Sequence, residues 1–293
     1  MYYAKKDQIK PKDIVANIYD SIELIIDITG INEDYIKKFI DIEISEIIFP
    51  PNIYRRTKTE LYEEELNHYQ KRNTLEMSIA SKRRLLETES VYRFYAKNET
   101  EQIAISTMFI SIKLDYKCAH ILNDKINLIS NIIKYLMQNE YLQIERITLN
   151  KSNSVICSSL YRLYQCFNKN LFGDMAYNLS RRKINIEEYY LRNESLFHYG
   201  KYISHISRIV QKGLYDEKVS YQGILQINMN FDAFEFEDNT EDSIQKIISI
   251  FIKLNSICYQ IFIEHITLAF IKDLVNGKTD KVIGGFNKNE ERV

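Results

Sequence analysis

The sequence predicts an α+β fold: a mostly antiparallel sheet packed with helices, closed by a long C-terminal helix. Three observations carry this. The stretch "GILQINMNFDAFEF" alternates strictly, with Leu225, Ile227, Met229, Phe231 and Ala233 on one side and Gln226, Asn228, Asn230 and Asp232 on the other. That is the period-two signature of a strand with one buried face. Ile244, Ile248, Phe251, Asn255, Cys258, Phe262, His265 and Ala269 recur with helical spacing over the last third. Finally, 45% of the 293 residues are hydrophobic while Gly and Pro number 8 and 3, which favours long regular elements around a sizeable core.

The elements follow in order. Residues 13–29 ("DIVANIYDSIELIIDIT") fit either a helix, through the stripe Ile14, Ile18, Ile22 and Ile25, or a strand, through their β-branched content. "INEDYIKKFI" reads as a short helix capped by Asn32, with acids in its first turn. "DIEISEIIF" (41–49) reads as a strand stopped by Pro50-Pro51. "TELYEEELNHYQKR" is charged and helical. Ser90 to Leu114 reads as a β-hairpin turning at "NETE". A helix from Asn123 to Gln138 carries Ile126, Ile129, Ile133 and Leu136.

"YLQIERITLN" is then a strand, and "SSLYRLYQCFNKNLFG" a short helix closed by Gly173. Three strands follow in "RKINIEEYYLR", "GKYISHISRIVQK" and "VSYQGILQINMNFDAFEF". Asn239 caps the final helix, whose first turn holds Glu241 and Asp242. No internal repeat is visible in the residues. The expected organisation is an N-terminal helical or extended segment over 1–40, one α+β domain over 41–276 and a flexible tail over 277–293.

The order of these elements is similar to that of a sporadically distributed family of uncharacterised bacterial proteins of about this length. The resemblance rests on the charged hairpin "YRFYAKNETEQIAISTMFISIKLDY", the segment "YLQIERITLNKSNS", the strands ending "GILQINMNF" and the helix "IQKIISIFIKLNSICYQIFIEHIT". It runs over residues 90–275. The first 40 residues have no counterpart in it, and Arg146 and Asn150 stand where the family pattern is more apolar or aromatic. The resemblance implies an antiparallel sheet backed by helices and brings no active site with it.

Composition narrows function more than it names it. A formal net charge of -1 argues against a binder whose whole surface is basic. Cys118, Cys157, Cys166 and Cys258 form no CxxC pair and no cluster with His at metal-ligand spacing. They read as buried apolar residues in a reducing compartment. "MYYAKKDQIKPKD" lacks the apolar core of a signal peptide. Lys253, Asn255, Gln260, Glu264 and His265 interrupt the most apolar stretch, so the expectation is a cytoplasmic protein without a membrane span. No Gly-rich phosphate loop, G-x-S-x-G or HExxH occurs, and no cofactor or metal is expected.

Three constellations are weighed against bland readings. Gln226, Asn228, Asn230 and Asp232 form a polar stripe that either is solvated, the default for a half-buried strand, or binds a ligand or partner. Amides there favour recognition over catalysis. "RNESLFHYG" sets Arg192, Asn193 and His198 in the R-N-x-x-x-x-H pattern of HEPN-type metal-independent ribonucleases, whose chemistry needs Arg and His on one helix. Arg55, Arg56, Arg83, Arg84, Arg181 and Arg182 fall in basic clusters near tyrosines, a nucleic-acid alternative to ordinary solvated faces.

His265 on the apolar stripe reads as a satisfied core or interface residue. The leading expectation is a non-enzymatic interaction protein that binds another protein, encoded nearby, as a regulatory or antitoxin-like part of a stress or phage-defence module. Homo-oligomerisation is a further expectation, because sheet edges need covering.

Overall fold

The computed structural model describes residues 6–14, 18–44, 54–60, 90–96, 100–115, 122–168, 190–215, 218–232 and 241–277. Among them, nine strands join in one sheet: β1 (Tyr19–Thr29), β2 (Tyr54–Glu60), β3 (Ser90–Ala96), β4 (Glu101–Ile105), β5 (Phe109–Asp115), β6 (Gln143–Cys157), β7 (Tyr190–Tyr199), β8 (Tyr202–Tyr215) and β9 (Lys218–Asp232). The principal helices are α1 (Glu33–Lys38), α2 (Leu122–Leu136), α3 (Leu160–Cys166), α4 (Glu241–His265) and α5 (Leu268–Val275). The sheet order is β2-β3-β4-β5-β1-β6-β9-β8-β7, and every pairing is antiparallel.

The fold is therefore α+β on an antiparallel sheet, as the patterning predicts. The N-terminal boundary at residue 40 is corrected. β1 lies between β5 and β6 at the middle of the sheet, and Leu24 faces Ile112 on one side and Leu149 on the other. Of the ambiguous run 13–29, Tyr19–Thr29 is a strand because both neighbours take up its backbone groups, while Asp13 ends a short 3-10 turn. Of the predicted tail, all but Gly277 lies outside the described residues.

The sheet order follows one pattern outward from the β1–β6 pair, with four meander strands beyond β1 and three beyond β6. One half runs β1, α1, the meander β2 to β5, then α2. The other runs β6, α3, the meander β7 to β9, then α4. In each half the last meander strand returns beside the first strand. The chain thus contains a topological duplication that the residues do not advertise. The halves differ in spacing: β5 has 7 residues and its counterpart β9 has 15, so no fixed period exists to detect.

Local chemistry explains several elements. Asn32 caps α1 by accepting from Tyr35 N at 2.9 Å, and Ser159 caps α3 by accepting from Arg162 N. The predicted strand 41–49 is corrected over its first part. Phe39–Ile44 continues the helix, and Ile36, Phe39 and Ile40 bury one helical face. Residues 45–49 lie outside the described residues, as do Gly173, Asn239 and most of "TELYEEELNHYQKR".

The predicted hairpin 90–114 is a three-stranded meander. Ser106 makes the extra turn by accepting the N–H groups of Met108 and Phe109, both at 3.1 Å. No Gly or Pro marks that turn, so periodicity reads straight through it.

The described helices gather on one face. There Leu24, Ile26, Ile110, Ile112, Ile147, Leu149, Leu225 and Ile227 meet α2 and α4 in one core. Lys125 of α2 pairs with Glu101 at 2.7 Å, and Asn255 of α4 accepts from Lys151 at 2.5 Å. By length and composition Asp242–His265 would serve as a membrane span, yet half of it is buried against the rest of the chain. Cys157, Cys166 and Cys258 are buried free thiols, and burial pushes Cys258 up to about 12.

Gly30 closes β1 at φ 89, where a Cβ would sit 1.7 Å from the Tyr141 carbonyl oxygen. Gly30→Ala is therefore expected to cost about 2 kcal/mol or more. Urea denaturation reads this directly, and an unchanged midpoint would contradict so close a backbone approach.

Candidate functional site

The second face of the sheet meets none of the described helices. Its composition follows from alternation along β6 and β9. Odd-numbered residues from Ile147 to Cys157 face the helices, so Arg146, Thr148, Asn150, Ser152 and Ser154 face the other way. On β9, Leu225, Ile227, Met229 and Phe231 are buried in the core, as their pattern predicts. Gln226, Asn228, Asn230 and Asp232 share the second face and are exposed or half-buried.

The register aligns these side chains in rows. One row runs Lys113, Glu23, Asn150, Asn228, His205 across β5, β1, β6, β9 and β8. The next runs Ile25, Thr148, Asn230, Ile203, and a third Asp27, Arg146, Asp232. Neighbours within a row bond to each other. Asn150 Nδ2 donates to Glu23 Oε2 at 3.0 Å, Thr148 Oγ1 to Asn230 Oδ1 at 2.7 Å and Arg146 Nε to Asp232 Oδ1 at 2.9 Å.

Three acceptors at the middle of this face have no protein partner although the atoms are buried: Asn150 Oδ1, Asn228 Oδ1 and Ser207 Oγ. Asn150 lies opposite Asn228, and Ser207 sits one pair along on β8 beside Gln226. At 4% exposure Ser207 is nearly sealed. Buried polar atoms are ordinarily satisfied, so three neighbouring orphans distinguish this part of the face, while Asn153 Oδ1 and Ser204 Oγ are orphaned on the helix-bearing side. A small apolar cluster of Ile25, Val91, Ala104 and Phe109 flanks this area on the same face.

The stripe singled out by the sequence is thus brought together with residues that the reading of β9 alone misses: Glu23, Arg146, Thr148, Asn150 and Ser207. The signal was present in "IERITLNKSNS", which alternates as β9 does.

The ribonuclease constellation is corrected. Arg192, Asn193 and His198 lie on β7, an edge strand. Arg192 and His198 share a face but stand six residues apart, roughly 20 Å along a strand, and one helix never carries them both. Arg192 is instead paired with Glu194, which holds the guanidinium pKa up. The arginine clusters are not assembled among the described residues. Arg55 and Arg56 sit on edge strand β2, opposite Tyr95 and Phe94, and Arg83, Arg84, Arg181 and Arg182 lie outside the described residues.

No family model matches the chain, and no curated protein matches it significantly.

A second arrangement lies on the helix-bearing side, where His265 ends α4. Its Nδ1 donates to the Ile261 carbonyl at 2.7 Å, and its Nε2 accepts from Arg208 Nε at 3.1 Å and Nη2 at 3.0 Å. Arg208 Nη1 donates to Ser195 Oγ at 2.7 Å. Both Arg208 and His265 are 8% exposed. The reading of His265 as a buried, satisfied residue holds, and its arginine partner is new. Sequence offers no sign of it, because Arg208 and His265 are 57 positions apart.

Burial first, then the charge of Arg208, pushes His265 down from 6.5 to about 4, with Lys6 adding to the effect and the Ile261 carbonyl opposing it. Lys253 and Glu264 are the other charged groups around it. The neutral ring's contribution to stability is complete above pH 6.5 and is lost as pH falls from there towards about 4. The loss is worth ~3 kcal/mol. Urea unfolding at several pH values between 4 and 7 should show a weaker acid dependence in His265→Gln, by about one proton. Parallel slopes for the two proteins would rule out this protonation.

Proposed function

We propose that this chain is a non-enzymatic interaction protein whose partner, another protein, docks on the second face of the sheet across β1, β6, β9 and β8. The observation that carries the reading is the group of three partnerless acceptors, Asn150 Oδ1, Asn228 Oδ1 and Ser207 Oγ, set among amides and hydroxyls. Such a surface recognises N–H and O–H donors by hydrogen bonds, and among the described residues His205 on this face pairs with Glu194 while Ser207 Oγ has no hydrogen-bonded base.

Charge favours a protein over a nucleic acid. Arg146 is neutralised by Asp232 and Arg192 by Glu194, while Lys113 stands across from Glu23. A phosphate backbone needs unpaired cations, and the described part of this face offers acids and bases in alternation. Glu23 beside the orphaned Asn150 oxygen favours a partner presenting lysine, arginine or backbone N–H groups. The sporadic distribution of the bacterial family that the sequence resembles supports a regulatory or antitoxin-like role.

The test is native mass spectrometry of the chain co-expressed with its genomic neighbours. A stoichiometric second polypeptide is expected. Gln226→Arg, at an exposed position in the centre of the face, should weaken that complex at least tenfold without altering the far-UV spectrum. Bare monomer or homodimer, or co-purifying nucleic acid, would count against the proposal.

A further inference from the structure

A cavity of about 470 Å³ opens between the C-terminal half of α4 and the β7–β8 hairpin. It lies on the opposite side of the sheet from the surface described above. Phe197, Tyr199, Tyr202 and Ile257 form much of its wall. Phe197 and Tyr199 remain 42% and 47% exposed, although their rings lie 6.4 Å apart on the helix-bearing side of β7. Exposed aromatics beside a cavity offer apolar area that nothing else in the described fold uses.

Arg208 lines this cavity. Its guanidinium is a permanent cation, yet among the described residues its partners are a neutral imidazole and a serine hydroxyl. A buried cation is costly without an anion beside it, and natural sites pair it. Of the five guanidinium N–H groups, Nε and one from Nη2 converge on a single imidazole lone pair, and one from Nη1 reaches Ser195. One N–H on each terminal nitrogen remains for an oxyanion to take. Lys253 and Glu264 complete the charged lining, so one positive charge is in excess.

We infer that the cavity binds a small organic anion, with a carboxylate or phosphate head on Arg208 and an aromatic or apolar body against Phe197, Tyr202 and Ile257. The volume falls within the range of about 300–1,000 Å³ usual for small-ligand sites. His265 has a positioning role: by accepting from Nε and Nη2 it holds the guanidinium plane and leaves the terminal N–H groups aimed away from the ring.

Isothermal titration calorimetry of the full chain, at pH 7, tests this with four probes: benzoate, phenyl phosphate, inorganic phosphate and benzyl alcohol. At least one aromatic anion should saturate a single site with a Kd of about 1 mM or tighter. Benzyl alcohol should bind at least tenfold more weakly, and inorganic phosphate more weakly than phenyl phosphate. The ratio of benzoate to phenyl phosphate affinity assigns the head group.

Arg208→Gln should abolish binding of the anions. Because Arg208 is buried, Phe197→Ala at an exposed wall position supplies a second variant. It should weaken the aromatic anion several-fold and leave inorganic phosphate unchanged. Absence of saturable binding by both aromatic anions, equal binding of benzyl alcohol, or unchanged binding in folded Arg208→Gln would overturn the inference.

Discussion

The antiparallel pairing of β1 with β6 is the joint on which the rest of the structure depends. It joins two meanders that otherwise share no strand pair, so a single nine-stranded sheet exists because these two strands meet. The ladder runs from Tyr19 opposite Asn153 to Thr29 opposite Gln143, with irregularities at each end. Its register sets everything lateral to it. A shift by one residue would set Leu24 opposite Asn150 or Thr148, so one of the two strands would turn its apolar side out of the core. Gly30 and the Tyr141 carbonyl lock one end through backbone contact that tolerates no side chain.

From that joint the two faces diverge. The helix-bearing face is apolar and continuous from Phe94 to Val210 and accounts for the core. The other face is assembled from whichever residues alternate with that core, and at its centre these are amides, hydroxyls and paired charges. Polar atoms there bond along the rows until the partners run out, which leaves the oxygens of Asn150, Asn228 and Ser207. On the helix side Arg208 is a charge set in an apolar layer where α4 ends, and the oxygens of Asn153 and Ser204 are orphaned there too. Among the described residues the oxygens find no hydrogen-bond partner and Arg208 finds no anion, and such breaks are expected where another molecule supplies one.

Much of the architecture is legible where one physical signal acts alone. β9 and α4 each carry one unbroken period, and α1 carries a cap with acids behind it, so element type follows from the residues. Reading fails where two signals compete. Ser106 turns the chain inside an apolar run with no Gly or Pro to mark it. Residues 41–44 alternate Ile with acids yet continue a helix, because Ile36, Phe39 and Ile40 already commit that segment to a helical face. Arg192 and His198 match a helical motif, but the flanking β-branched residues belong to paired strands.

The sequence by itself determined which segments pair a buried with a polar side and that Cys157, Cys166 and Cys258 are apolar filling. Those properties are local, since side-chain spacing along one element decides them. The tertiary structure alone decided that the N-terminal segment supplies the central strand, that the two halves follow one pattern outward from β1 and β6, and that Arg208 rests on His265. Each of these joins residues far apart in the chain, and long-range pairing depends on which partner is available in the folded sheet. No window of sequence contains that information.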